Sequence, residues 1–250
     1  MAVLLACIAQ ILGGAWPVWL GLTLFVVGLS HGAGDEQDGE LKRIGLMHAA
    51  AYLIVGIGVA GLFLITPLGG LAVFFALSAW HFARSDCRFE QAARFAIAGL
   101  AIGGSALFQA KLTGMVLSDA TGAEVPDWFL RALAVAGTFG SGFAAYSLFT
   151  GKRGFGHAVV ALLAVLLLHP VLAVGLIFLT AHAIPIQQRQ AAAYGPRTVL
   201  RAIAIPTGLA TIGALAIVAG VGADLITMPL AVALALGLAT PHMLTERLES

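Results

Sequence analysis

The stretch that decides the fold is GFGHAVVALLAVLLLHPVLAVGLIFLTAHAIPI, residues 154–186. A membrane span needs about 20 apolar residues, so this stretch is too long for one straight span and somewhat short for two. Its only internal break is His169-Pro170, where proline removes a backbone donor and disfavours helix in the residue before it. We therefore predict two short spans in a tight hairpin, Gly154–Leu168 and Pro170–Ile186.

The same apolar pattern extends outward in both directions. The chain is 60% hydrophobic and 10% charged, whereas a soluble domain carries about 25% charged residues. The runs are continuous rather than alternating, which argues against a β-barrel. We predict an all-α, polytopic integral membrane bundle of about 8–10 transmembrane helices, forming a single domain over residues 1–250. Besides the hairpin, the predicted spans are Pro17–Ala33 (after an apolar lead-in, Ala2–Leu12), Leu46–Ile65, Gly69–Ala83, Arg94–Ala110, Trp128–Phe149, Val199–Gly220 and Ile226–Leu244.

Basic residues predict the orientation, because Lys and Arg favour cytoplasmic loops. With these nine spans only Lys111 and Arg131, of the 13 basic residues, fall on one side. The asymmetry supports the hairpin and predicts a multi-pass protein of a bacterial-type inner membrane with a cytoplasmic C-terminus. The basic residues on the cytoplasmic side are Lys42, Arg43, Arg84, Arg88, Arg94, Lys152, Arg153, Arg189, Arg197, Arg201 and Arg247.

Four histidines share one predicted depth. His31, His81, His182 and His242 each end a span that runs from outside to inside, so all four lie near the cytoplasmic boundary. Neutral imidazole is a common ligand for iron, zinc and copper, and polar groups within spans usually face the bundle interior. A single histidine at a span end is more often structural, but four at one depth predict a shared metal site.

Carboxylates follow three of these histidines. Asp35 comes one helical turn after His31, Asp86 lies near His81, and Glu246 is four residues after His242. A carboxylate often accepts the second N–H of a ligating imidazole and fixes its tautomer. Asp35 and Asp86 are therefore candidate second-shell residues, with solvated positions in cytoplasmic loops as the alternative.

Composition also excludes several classes of function. A net charge of +1 and the lack of a Lys/Arg tract give no sign of nucleic-acid binding. Cys7 and Cys87 are far apart, which excludes a CxxC thiolate site. A transporter would place charges at mid-bilayer, whereas this chain keeps them in loops. A haem protein would use histidines as axial pairs. Four histidines at one depth are explained better by a single compact metal centre.

Four motifs in order resemble the Brp/Blh family, the bacteriorhodopsin-related-protein-like β-carotene 15,15′-dioxygenases. The first is His31-Gly32-Ala33-Gly34-Asp35, and the second is Ser78-Ala79-Trp80-His81-Phe82 with Asp86 downstream. The third runs from His169-Pro170 to His182, and the fourth is Pro241-His242. No single motif is specific, but their order and internal spacing match the family from residue 28 to the C-terminus.

The resemblance implies a membrane dioxygenase that uses Fe(2+) and O2 to cleave β-carotene centrally into two retinals. Its metal ligands would be His31, His81 and His182, with His242 as a further candidate. The lipid bilayer would deliver the apolar polyene laterally. Trp80, Phe82 and Phe178 would line the substrate pocket.

One position departs from the family pattern. The third motif normally reads His-Ser-x-Arg-His, whereas this chain has His182-Ala183-Ile184-Pro185-Ile186. Ile186 cannot bind metal, so His242, His169 or Gln187 would have to complete the site. Without a complete site, the alternative is a family member that binds a carotenoid or retinoid without cleaving it.

Overall fold

The computed structural model describes residues 1–34, 36–37, 40–41, 46–85, 89–241 and 243. Within this part of the chain nearly all residues are helical. A 3₁₀ turn (Leu29–Gly34) follows α2, and π-helical turns join α5 to α6 (Leu100–Gly104) and α10 to α11 (Phe178–Ala183). Strands β1 (Glu36–Gln37) and β2 (Glu40–Leu41) form a short antiparallel pair. The helices are α1 (Ala2–Leu12), α2 (Trp16–Gly28), α3 (Leu46–Ile65), α4 (Pro67–Ser85), α5 (Gln91–Gly99), α6 (Ser105–Phe108), α7 (Ala110–Thr121), α8 (Asp127–Thr150), α9 (Phe155–Leu167), α10 (Pro170–Ile177), α11 (Ile184–Tyr194), α12 (Pro196–Gly222) and α13 (Met228–Ala239).

The helices have the length and composition of a membrane protein. Among the residues that the structure describes, four helices are long and apolar enough to cross a membrane: Gln91–Phe108, Asp127–Thr150, Pro170–Tyr194 and Pro196–Gly222. Five further apolar helices have 10–17 residues. Within the described residues each predicted span overlaps a helix, and the hairpin breaks between Leu167 and Pro170 as predicted. The all-α membrane fold is confirmed.

Two helical segments extend beyond the predicted spans. α7 lies between the predicted spans Arg94–Ala110 and Trp128–Phe149, and the helix that begins at Pro170 continues past Ile186 to Tyr194. Both segments contain good helix formers, Ala and Leu in α7 and Ala and Gln in residues 187–194, which favour helix even where polar residues interrupt the apolar run. The second one ends only at Gly195, whose positive φ of 82° stops the helix before Pro196.

The chain divides into two compact units. The first comprises Met1–Gly28, Ser78–Ser118 and Ala123–Pro185, and the second comprises Leu29–Leu77, Asp119–Gly122 and Ile186–Ser250. The prediction of a single domain stays a prediction.

In the first unit, glycines let two helices touch backbone to backbone. The helix that runs through α5 and its π-helical turn packs on α8, where Gly99 and Gly103 meet Gly137 and Gly140. A side chain at Gly103 would overlap the backbone of Leu133 and Gly137. Small residues at such contacts are typical of helix packing in membranes, because close backbone approach maximises van der Waals contact.

Two glutamines hold the hairpin of the first unit at its break. Gln109 donates from its side-chain amide to the carbonyls of Val165 and Leu168, both at 2.8 Å. The backbone N–H of His169 donates to Gln10 Oε1, also at 2.8 Å. These bonds satisfy backbone groups that the interrupted helix leaves without intrahelical partners. The hairpin therefore depends on side chains distant in sequence as well as on the proline.

His169 caps the second helix of this hairpin. Its Nδ1 accepts the backbone N–H of Val171 at 3.3 Å, and Pro170 occupies the first helical turn. His182 follows His169 by thirteen residues along a continuous helix, or about 20 Å at the rise of an α-helix. His169 therefore acts as a helix cap and cannot complete a metal site with His182.

We expect the His169 cap to make stability dependent on pH. Burial lowers the pKa of His169 from its usual value near 6.5, and the cap needs an unprotonated Nδ1. Protonation therefore favours the unfolded chain, and stability should fall as the pH drops below about 6.5, until the folded-state pKa is also passed. Thermal midpoints in detergent between pH 8 and pH 5 measure this effect. His169→Asn keeps a capping side chain, so its midpoint should fall less; an equal fall in both proteins would contradict the assignment.

In the second unit, α3 packs on α13 at a glycine pair. A Cβ on Gly56 would lie 2.6 Å from the carbonyl oxygen of Gly237, and one on Gly237 would lie 2.8 Å from that of Gly56. Thr227 begins α13 by accepting the backbone N–H of Leu230 at 3.4 Å. The 3₁₀ turn that carries His31 contacts α12 in this unit.

Candidate metal centre

Two of the predicted ligands are buried histidines of the first unit. His81 lies on the last turn but one of α4 and exposes 3% of its surface, and His182 lies in the π-helical turn after α10 and exposes 2%. Such turns add one residue to a helix and recur at functional sites, since they change which way a side chain points. Both imidazoles are therefore held by rigid helical backbone.

The two imidazoles face each other through their Nε2 atoms. These atoms are 3.0 Å apart, and the rings meet edge to face with centroids 4.7 Å apart at 70°. A hydrogen bond across this distance requires one ring to carry the proton on Nε2 and the other to accept it.

The pair fits a metal ion in both chemistry and distance. Neutral imidazole suits iron, zinc and copper, and a metal–imidazole bond of about 2.1 Å is typical, as for zinc. Two such bonds at right angles would separate the nitrogens by about 3.0 Å, which is the observed spacing. The same two atoms could therefore act as neighbouring ligands without a rearrangement of either helix.

Aromatic rings surround the histidine pair. The ring of Phe82 lies 4.6 Å from that of His182, and Phe178 lies 5.9 Å from it. Phe178 in turn stacks on Phe25 of α2 at 5.3 Å. This apolar surround keeps polar groups other than the imidazoles away from the pair. Of the predicted pocket residues, Phe82 and Phe178 thus lie beside the pair.

Phe25 is a site residue that sequence reasoning missed. It shares a helical face with Gly21 and Gly28, at spacings of four and three residues. Gly21 lies against the backbone of Val171, and a side chain at Gly28 would overlap Phe178. An aromatic residue between two glycines on one face was the available signal that this face packs closely on another helix.

Trp80 has a different environment. The Arg84 guanidinium lies over its ring, with Cζ 5.7 Å from the centroid. The two residues are one helical turn apart on α4. A role for Trp80 in the substrate pocket stays a prediction.

His31 belongs to the second unit, in the 3₁₀ turn Leu29–Gly34, and exposes 4% of its surface. Its neighbour Ser30 accepts a hydrogen bond from the side-chain amide of Gln187 in the same unit. Gln187 is a candidate to replace the missing histidine; this bond uses its Nε2 and leaves its Oε1 undecided, so a role for Gln187 as a ligand stays a prediction. Asp35, Asp86 and His242 lie outside the described residues.

Ile186, at the position where the family pattern has a histidine, is a buried residue. It exposes 7% of its surface and lies in α11, four residues after His182 in a continuous helix. An apolar side chain offers no lone pair to a metal. The chelating histidine pair of the family pattern is thus reduced to His182 in this chain.

The fold and the histidine pair together define an α-helical membrane protein with a buried site suited to a metal ion. Comparison with known families agrees with this class: the family model for beta-carotene 15,15'-dioxygenase matches residues 22–248. The chain belongs to this family. No curated protein and no solved structure matches the chain.

Proposed function

We propose that this protein is an iron-dependent membrane dioxygenase that cleaves β-carotene, or a related carotenoid, at its central double bond. The observation that carries the proposal is the buried His81–His182 pair, whose nitrogens are spaced as neighbouring metal ligands. Family membership supplies the reaction class. The aromatic rings around the pair suit an apolar polyene better than a polar substrate.

Under this proposal His31, His81 and His182 hold the Fe(2+), each with one imidazole nitrogen. Chain connectivity supports the inclusion of His31. Gly28 ends α2 against Phe178, one turn before His182, and His31 follows Gly28 by only three residues. His242 would be the fourth ligand, and Asp35 and Asp86 would orient the imidazoles from the second shell.

The reaction conserves all atoms of its two substrates. The central carbon–carbon double bond breaks, and each of its carbons receives one oxygen atom of O2, which yields two retinal molecules without an added reductant. Bound iron with open positions would supply O2 activation. The chain's own contribution is to hold the two Nε2 atoms at the spacing of neighbouring ligands, to exclude water with Phe25, Phe82 and Phe178, and to hold the polyene beside the pair.

The polyene would enter from the lipid bilayer without crossing water. We propose a multi-pass protein of a bacterial-type inner membrane, with the histidines and the C-terminus on the cytoplasmic side, since 11 of 13 basic residues fall there. Green fluorescent protein fused after Ser250 should fluoresce. A fusion that is dark while alkaline phosphatase at the same point is active would contradict this orientation.

Expression in a bacterial host that accumulates β-carotene tests the proposed function. We expect the cells to lose yellow colour and to form retinal, relative to cells that express His81→Ala. Persistent colour with well-expressed, iron-loaded protein would reject β-carotene cleavage. β-Carotene that copurifies with such an inactive protein would instead indicate the binding function without cleavage.

Restoring the family histidine should strengthen the site. We expect Ile186→His to raise the iron content of purified protein and the yield of retinal, because histidines four residues apart on one helix chelate a metal. Ile184→His is the matched control, since it adds an imidazole two residues away on another helical face. Equal gains in both variants, or a gain in neither, would contradict the view that position 186 faces the metal.

A further inference from the structure

A cavity of about 310 Å³ lies in the first unit, away from the histidine pair. It lies where α5 begins, where α8 ends, and beside the turn that joins α8 to α9. Its lining combines three charged side chains, a buried hydroxyl and aromatic rings. Nothing in the proposed reaction uses this cavity.

The charged residues of the cavity carry both signs. Lys152 and Arg153 lie in the turn after α8, and Glu90 directly precedes α5. The Glu90 N–H donates to the Arg153 carbonyl at 3.0 Å, and Gly154, at φ 92°, packs against Phe89. These contacts hold the turn that carries Lys152 and Arg153 beside the start of α5. The first N–H groups of a helix add further attraction for an anion.

Ser147 gives the cavity a buried polar group. It lines the cavity, exposes 3% of its surface, and its Oγ has no hydrogen-bond partner among the residues that the structure describes. Most serines within membrane helices bond their own backbone, whereas this hydroxyl stays available. A buried hydroxyl without a partner is costly, so the position favours a polar ligand.

The remaining wall is aromatic and open to the surroundings. Phe95 and Phe143 contact each other with centroids 5.3 Å apart, and each exposes 36% of its surface. Tyr146 lies on the same face of α8 as Phe143 and exposes 55%. Aromatic residues next to basic residues mark the level where acyl chains meet lipid headgroups.

We propose that this cavity binds the headgroup of an amine-bearing phospholipid, such as phosphatidylethanolamine. Lys152, Arg153 and the start of α5 bind the phosphate, and Ser147 donates a hydrogen bond to it. Glu90, whose carboxylate does not cap α5 in the described part of the chain, pairs with the ammonium group. Phe95, Phe143 and Tyr146 contact the acyl chains. A simple anion would leave Glu90 as a repulsive neighbour, and the amine removes that conflict.

Titration of purified, delipidated protein in detergent tests this proposal. The probes are short-chain phosphatidylethanolamine, phosphatidylglycerol and phosphatidylcholine, together with inorganic phosphate. We expect phosphatidylethanolamine to bind most tightly. Lys152→Gln/Arg153→Gln should weaken its binding about thirtyfold, as expected for two basic contacts at a membrane surface. Arg197→Gln/Arg201→Gln, a matched pair of exposed basic residues in α12, should leave binding unchanged.

Glu90→Gln separates headgroup selection from phosphate binding. It should reduce the preference for phosphatidylethanolamine over phosphatidylglycerol while the latter still binds. Equal binding of all three lipids to the wild-type protein would overturn the proposal, as would equal weakening by the two double variants. Inorganic phosphate that binds as tightly as the lipid would show a site for free phosphate and would also overturn it.

Discussion

Replacing His182 with alanine is expected to abolish retinal formation and to lower the iron affinity of the purified protein by at least about 100-fold. Loss of residues that merely orient a ligand costs 10–100-fold in metal affinity, so loss of a ligand should cost at least as much. His81→Ala should have the same effect, because the two Nε2 atoms face one point. Iron content by mass spectrometry and retinal by chromatography measure both outcomes.

His157→Ala is the matched control for these two variants. His157 begins α9 and contacts the ring of Phe89 at 4.6 Å, within the first unit but outside the aromatic group around His182. Its replacement should leave iron content and retinal yield near the wild-type values. Iron content that is unchanged in His182→Ala, in protein that elutes as a single folded species, would remove His182 from the metal centre.

Gly103→Leu is expected to destabilise the folded protein by about 3 kcal/mol or more. The new side chain would overlap the backbone of α8 at Leu133 and Gly137, and backbone cannot move aside as a flexible side chain can. Overpacking a close contact costs about 1–3 kcal/mol, and more where the neighbour is rigid. The thermal midpoint in detergent and the yield of monodisperse protein should both fall.

Gly142→Leu provides the control for this substitution. Gly142 is also a helical glycine of the first unit, but no atom lies within 4 Å of where its Cβ would be. Leucine has a higher helix propensity than glycine, so this substitution should leave the free energy of unfolding unchanged or raise it slightly. If both substitutions lowered the thermal midpoint equally, the close contact of Gly103 with α8 would not be the cause of the destabilisation.

The helices were predictable because bilayer-spanning segments need long apolar runs. The break at His169-Pro170 was also predictable, from the chemistry of proline. α9 ends just before this break and α10 begins at Pro170. The two glutamines at that break were not predictable, since Gln10 and Gln109 lie far from it in sequence. α7 escaped prediction because Lys111 and Asp119 interrupt its apolar pattern, while helix propensity alone is a weak signal.

The candidate site was predictable from the order of its motifs and from the shared depth of its histidines. His81 and His182 were both named from sequence, and the structure brings their nitrogens together. The π-helical turn around His182 has no simple sequence signal, because it depends on tertiary packing. For Phe25 the spacing of Gly21 and Gly28 indicates close packing of that helical face, but it does not indicate that the face packs against Phe178 beside the histidine pair.

X-ray absorption at the iron edge of purified, Fe(II)-loaded protein tests the central claim most directly. We predict a shell of nitrogen and oxygen ligands near about 2.1 Å, with the multiple scattering of at least three imidazoles. His81→Ala should remove one imidazole from that shell. A spectrum without imidazole scattering, or one that is the same in His81→Ala, would contradict a metal centre built on the His81–His182 pair.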